Sequence, residues 1–177
     1  MEYLEIFDEQ GNSLGQKLRK EVHRDGDWHR VVDVWIYDSQ KRILLQRRSA
    51  TKKKFPNHWD FSVGGHISAG ESWESALERE VEEELGIPTK FSEVEFFGER
   101  KEETRVGDIL DREIARTYFL KKDSEISELR LQEEEVAEVA WVNFSELERR
   151  VHSPEFVPHR KEYLDAVLAY FRDKFKV

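Results

Sequence analysis

The sequence predicts an α+β domain, or a layered α/β/α one, built around a mixed sheet. Three observations point there. Short apolar, β-branched runs bounded by turn residues fill the first third of the chain and return beyond residue 93. One amphipathic segment at 72–86 separates these two groups, and a second closes the chain. No repeat, low-complexity stretch or linker divides the 177 residues, so residues 1–177 are expected to form a single domain.

The elements follow in order. YLEIF at 3–7 reads as a short strand, stopped by the turn residues Asp8 to Asn12. RVVDVWIYD at 30–38 and RILLQRR at 42–48 are β-rich runs, and the tight link Ser39-Gln40-Lys41 makes them a hairpin. A loop, ATKKKFPNHWDFS, comes next. Residues 72–86 read as a helix with Ser72 as N-cap and Gly86 at its C-terminal end. Two strands are expected at 93–104 and 112–121, around Val106-Gly107-Asp108, and another at 136–142. Asn143 caps a short helix to about Val151. Pro158 precedes a last helix, 159–175, with Tyr163, Leu164, Val167, Leu168 and Phe171 on one stripe.

Composition narrows the function. Charged and hydrophobic residues each make up 38% and aromatics 12%, too many of the last for a disordered chain. The net charge of −9 argues against general nucleic-acid binding, because an acidic surface repels phosphate. With no cysteine, disulfides, thiolate metal sites and cysteine nucleophiles are excluded. No apolar run reaches membrane-spanning length, and the acidic N-terminus is unlike a signal peptide, so a cytoplasmic location is expected.

The helix at 72–86 carries the chemistry. With Trp73 at zero and about 100° per residue, Leu77, Val81 and Leu85 span an apolar arc, yet Glu80 and Glu84 fall inside it and Glu83 lies beside it. Two like charges ~4 Å apart repel by about 4 kcal/mol at an effective dielectric near 20. A divalent cation turns that repulsion into attraction, and carboxylate oxygens suit Mg²⁺ or Mn²⁺. The helix alone fits a solvated acidic face equally well. Gly65 and Gly70 permit a tight loop before it, and Glu71 and Arg79 are placed to pair across that loop.

The stretch GHISAGESWESALEREVEEELGI resembles the Nudix hydrolase signature. That pattern is Gly, five residues, Glu, seven residues, Arg-Glu, an apolar residue, any residue, Glu-Glu, any residue, Gly and an apolar residue. Gly65, Glu71, Arg79, Glu80, Val81, Glu83, Glu84, Gly86 and Ile87 match every fixed position. The resemblance implies an α/β/α sandwich and Mg²⁺- or Mn²⁺-dependent hydrolysis of a small-molecule diphosphate; from charge and hydropathy, no membrane or nucleic-acid partner is expected. It implies that Glu80, Glu83 and Glu84 hold the metal with the Gly65 carbonyl, while Glu71 and Arg79 stabilise the motif.

A wider likeness, over roughly residues 3–142, is to the isopentenyl diphosphate isomerase branch of the superfamily, through QRRS-(4)-KFPNHWDFSVGGH. It implies a second metal site at His23, His29, His66, Asp111 and Glu113. Asp111 departs from the branch's glutamate, and His23 lies closer to its neighbour than the pattern sets. Read alone, His23 and His29 also fit turn residues around Asp25-Gly26-Asp27, with Asp111 and Glu113 solvated. The isomerase cysteine position is Gly64, so the implied activity is hydrolysis rather than isomerisation. Arg47, Arg48 and Lys52, with Lys53 and Lys54, are candidate phosphate contacts, and strand alternation sends only one of the two arginines to the site. The lysines fit a solvated loop as well. Trp59 and Phe61 are pocket or core residues. Glu133, Glu134 and Glu135 fit a solvated turn, or one of them approaches the metals.

Overall fold

A computed structural model describes residues 2–107 and 109–177; Asp108, in the expected turn, lies outside the described residues. The strands are β1 (Tyr3–Phe7), β2 (Ser13–Leu18), β3 (Trp28–Tyr37), β4 (Ile43–Arg48), β5 (Trp59–Asp60), β6 (Val63–His66), β7 (Val94–Val106), β8 (Ile109–Lys121) and β9 (Val136–Val142). The helices are α1 (Arg19–Asp25), α2 (Trp73–Leu85), α3 (Phe144–Arg150) and α4 (Lys161–Phe175).

The sheet is mixed, as expected. Strand β3 runs parallel to β8 along its whole length, from Trp28↔Arg112 to Tyr37↔Lys121. It is antiparallel to β6 and, beyond the hairpin turn, to β4. Strand β4 continues to β5 and β9, and β8 to β7. Because β3 is covered on both faces, its run is apolar rather than alternating. Val32, Val34 and Ile36 pack with Ala76, Leu77, Val81 and Leu85 of α2. Trp35 and Tyr37 pack with Leu147 of α3 and with Tyr163, Leu164 and Phe171 of α4. The result is a helix–sheet–helix sandwich. Among the described residues, no helix is long and apolar enough to cross a membrane.

Local chemistry set several boundaries where the sequence placed them. Ser72 accepts the Ser75 N–H at 3.2 Å and caps α2, and Gly86 ends it at φ 70°. Asn143 caps α3 through the Glu146 N–H at 2.9 Å. Four elements departed from expectation. Strand β2 and helix α1 occupy 13–25, where no clear periodicity exists, and α1 lacks a side-chain cap. Strand β5 interrupts the expected loop, and the glycine-containing β6 is a strand only because it pairs with β3.

Candidate functional site

Strand β6 separates two clusters of acidic and imidazole groups. Directly paired residues share a face of a sheet. Gly65 pairs with Val32, whose side chain packs toward α2, whereas Gly64 pairs with Asp33 and His66 with Val31, on the opposite face. Gly65 therefore lies under α2, and the lack of a side chain matters there. A Cβ at Gly65 would stand 1.9 Å from the Glu80 carboxyl carbon.

On the α2 face, Arg79 organises the acids. Its Nε donates to Glu71 Oε1 and its Nη2 to Glu71 Oε2, both at 2.8 Å, a bidentate pair. Nη2 also donates to the His66 carbonyl at 3.1 Å, and Glu71 accepts the Ser68 N–H at 3.0 Å. The loop before α2 is thus braced against the helix. Nη1 reaches Glu80 at 2.7 Å and Glu83 at 3.1 Å. Burial raises the Glu80 carboxyl despite this contact. Glu84 is buried, and burial, then the Glu80 charge, pushes its carboxyl well above the ordinary range. Its hydrogen bond comes from Gln46 Nε2 at 3.2 Å. Glu83 is half exposed. The three carboxylates share one helix face, but among the described residues they do not close to a set of donor atoms within 4.8 Å. Arg79 draws Glu80 and Glu83 toward itself while Glu84 turns inward to β4.

The flanking basic residues divide. Arg47 pairs with Glu138 on the surface. Arg48 meets Asp60 at 3.4 Å and lies within electrostatic reach of Glu84. Lys52 is ion-paired to Glu135, and both also act on Glu84. Lys53 is exposed, as are Glu133 and Glu134. Phe61 is core, against Trp35, while Trp59 packs half-buried at its margin.

On the opposite face, α1, β3, β6 and β8 bring together the other predicted residues. Donor atoms of His23, His29 and His66 lie within 4.8 Å of one another, as do those of His29, Asp111 and Glu113. Asp111 Oδ1 stands 3.4 Å from both His23 Nε2 and His29 Nε2. Burial holds all three imidazoles neutral, His23 at about 3. Burial pushes Glu113 up, but Lys54, then His29 and Arg100, bring it down to about 2. His29 Nδ1 sits 3.1 Å from the Asp27 carbonyl, so it carries the proton and Nε2 presents a lone pair. That Nε2 and Asp111 Oδ1 are buried without a hydrogen-bond partner among the described residues, while Asp111 Oδ2 is ion-paired with Lys54. Lone pairs converging on a carboxylate repel unless a cation lies between them.

Sequence reasoning missed a buried charged network beside this pocket. His159 Nε2 contacts Asp60 at 2.7 Å, and its Nδ1 lies 3.7 Å from Glu102. Burial opposes its charge, but Asp60 and Glu102 push it up to about 10. Arg100 joins Glu102 to Asp33 at 2.9 and 2.6 Å. His159 and Asp60 are 99 positions apart, and no local spacing announces that contact.

Comparison with known proteins identifies the family and the fold. The family model described as NUDIX domain matches residues 27–167. An uncharacterized Nudix hydrolase of Clostridium acetobutylicum is 32% identical, over 98% of each chain. An isopentenyl-diphosphate Delta-isomerase of Nocardia farcinica is 39% identical over 59% of this chain and 60% of its own length. In fold, a crystal structure from Deinococcus radiodurans superposes with a TM-score of 0.68 at 23% identity, over 96% of this chain and 98% of the other.

Proposed function

The chain belongs to the Nudix hydrolase family, and we propose that it cleaves a diphosphate linkage in a nucleoside diphosphate derivative or another organic diphosphate, with Mg²⁺ or Mn²⁺. The observation that carries this reading is Glu84, a fully buried carboxylate beside Glu80 whose charge the fold alone disfavours. Such a group suits a hard cation better than it suits the empty fold. Glu80, Glu83, Glu84 and the Gly65 carbonyl are the ligand set; the close approach of Glu80 to Gly65 supports that grouping.

When bound, the ion neutralises phosphoryl oxygens and acidifies water. The chain's residues do the rest. Arg79 holds the preceding loop through Glu71 and balances the charge of Glu80 and Glu83 through Nη1, and these two carboxylates must swing from Arg79 toward Glu84 to complete the ligand set. Gln46 fixes the Glu84 carboxylate from β4. Glu83, the most solvated of the three, orients the attacking water and accepts its proton. Arg48 and Lys52 stand near Glu84 and offer positive charge to the departing phosphate.

An isomerase reading fails at Gly64. A Cβ there would stand 2.8 Å from the Phe61 ring, a core aromatic that cannot easily retreat. The position has no protonating side chain and no room for one. The test is phosphorus NMR of the protein with Mg²⁺ against nucleoside di- and triphosphates, nucleotide sugars, dinucleotides, coenzyme A and isopentenyl diphosphate, each with a chelator control. Chelator-sensitive cleavage of one class is expected. Isomerised isopentenyl diphosphate with no cleavage anywhere would overturn the proposal.

A further inference from the structure

Lys54 lies in the segment between β4 and β5, and its Nζ enters the histidine–carboxylate pocket. It is ion-paired with Asp111 and stands 3.4 Å from Glu113. Asp111 is 1% exposed there, and His29, against it, is fully buried. The segment is held in a demanding conformation. Phe55 and Asn57 have φ of 48° and 62°, the left-handed region that a bulky aromatic rarely adopts. Docking compensates for this. Arg48 Nε donates to the Lys54 carbonyl at 3.2 Å, and the Asn57 N–H donates to the Arg48 carbonyl at 3.1 Å.

The donor set fits a transition-metal ion better than an ammonium. The Lys54 ammonium meets Asp111 Oδ2 and Glu113, but it leaves Asp111 Oδ1 and the His29 Nε2 lone pair unmatched. Imidazole nitrogens with carboxylates are a set that Mn²⁺ or Zn²⁺ satisfies. Arg19 is taken up by Glu2, and Arg100 by Asp33 and Glu102, so the pocket's own charges are Asp111, Glu113 and Lys54, and with Lys54 expelled the two carboxylates match a divalent ion.

We propose that Lys54 is the resident counter-ion of the His23–His29–His66–Asp111–Glu113 pocket, and that a divalent ion enters this pocket by expelling it. This rests on the pocket being a metal site. Ion entry and undocking of the Lys54 segment are then one event. Lys54 competes with the ion and keeps its buried carboxylates paired when metal is scarce.

The test uses the full chain and Mn²⁺ or Zn²⁺ alone, with two readouts independent of turnover. Calorimetry compares the wild type, Lys54→Met and His29→Gln. Lysine acetylation followed by mass spectrometry reads Lys54 accessibility, with exposed Lys53 as the internal reference. Expected are a His29-dependent binding event, at least tenfold tighter in Lys54→Met, and a several-fold rise in Lys54 acetylation on saturation of the wild type. His29-dependent binding with Lys54 affinity and acetylation unchanged would overturn the exchange while leaving the metal site standing. No His29-dependent binding, even in Lys54→Met, would overturn both.

Discussion

Gly65→Ala tests the motif site with a single methyl group. The new Cβ would fall 1.9 Å from Glu80 Cδ, 2.2 Å from Oε1 and 2.3 Å from Cγ. Carbon atoms rest at about 3.5–4.0 Å, so the carboxyl group must retreat by roughly 1.6 Å or more. The backbone of Gly65 cannot yield instead, because it pairs with Val32 at the centre of the sheet. Metal–oxygen distances tolerate about 0.2 Å, so a displaced Glu80 leaves the ligand set. Turnover of the substrate class found by NMR should fall by about 100-fold or more, since a misplacement of about 1 Å already costs that much. Glu80 is a side-chain end, so stability should fall by only about 1–3 kcal/mol, the usual range for overpacking. Calorimetric Mg²⁺ titration, steady-state kinetics and a thermal melt read the three quantities. A variant with wild-type Mg²⁺ affinity and turnover would show that Glu80 does not ligate where it stands.

Three further predictions concern buried groups. Glu84→Gln should abolish chelator-sensitive hydrolysis yet raise the melting temperature in chelator by a few degrees, because it removes a carboxylate that burial disfavours; a lower melting temperature would refute that account. His159 is raised in the folded state to about 10, so its contribution is complete below its ordinary 6.5 and is lost as pH rises toward 10. Urea midpoints of the wild type should fall across that window, and His159→Gln should flatten the fall. Gly64→Cys should lower stability by about 1–3 kcal/mol through contact with the Phe61 ring and should gain no isomerisation of isopentenyl diphosphate, as a melt and proton NMR would show.

What was legible in the sequence was local. Ser72, Gly86 and Asn143 announced their helix ends because caps act over three or four residues. The stripe from Tyr163 to Phe171 announced a buried face, and all five of its residues are buried. The acidic set on α2 was legible for the same reason, since i, i+3 and i+4 neighbours share a helix face whatever the rest of the chain does. Its division was not legible. Gln46, brought over by β4, hydrogen-bonds Glu84 from the inside, while Arg79 holds the other two. Helix α1 and β6 were missed because their stability comes from contacts with β8 and β3 rather than from their own pattern.

The paired glycines at 64 and 65 show how one short strand separates two chemistries. Each lacks a side chain for its own reason, and the reasons lie on opposite faces. Gly65 admits the Glu80 carboxyl beneath α2; Gly64 admits the Phe61 ring on the side of Asp33. His66, next in the strand, gives its ring to the histidine cluster and its carbonyl to Arg79. Among the described residues, strand β6 therefore touches both clusters through consecutive residues. A second path runs from Glu84 through Gln46 to neighbouring Arg48, then through Asp60 and His159 to Glu102, which pairs across strands with Glu113. The links from Arg48 through Asp60 and His159 to Glu102 are ion pairs between largely buried groups, which interact more strongly than at the surface.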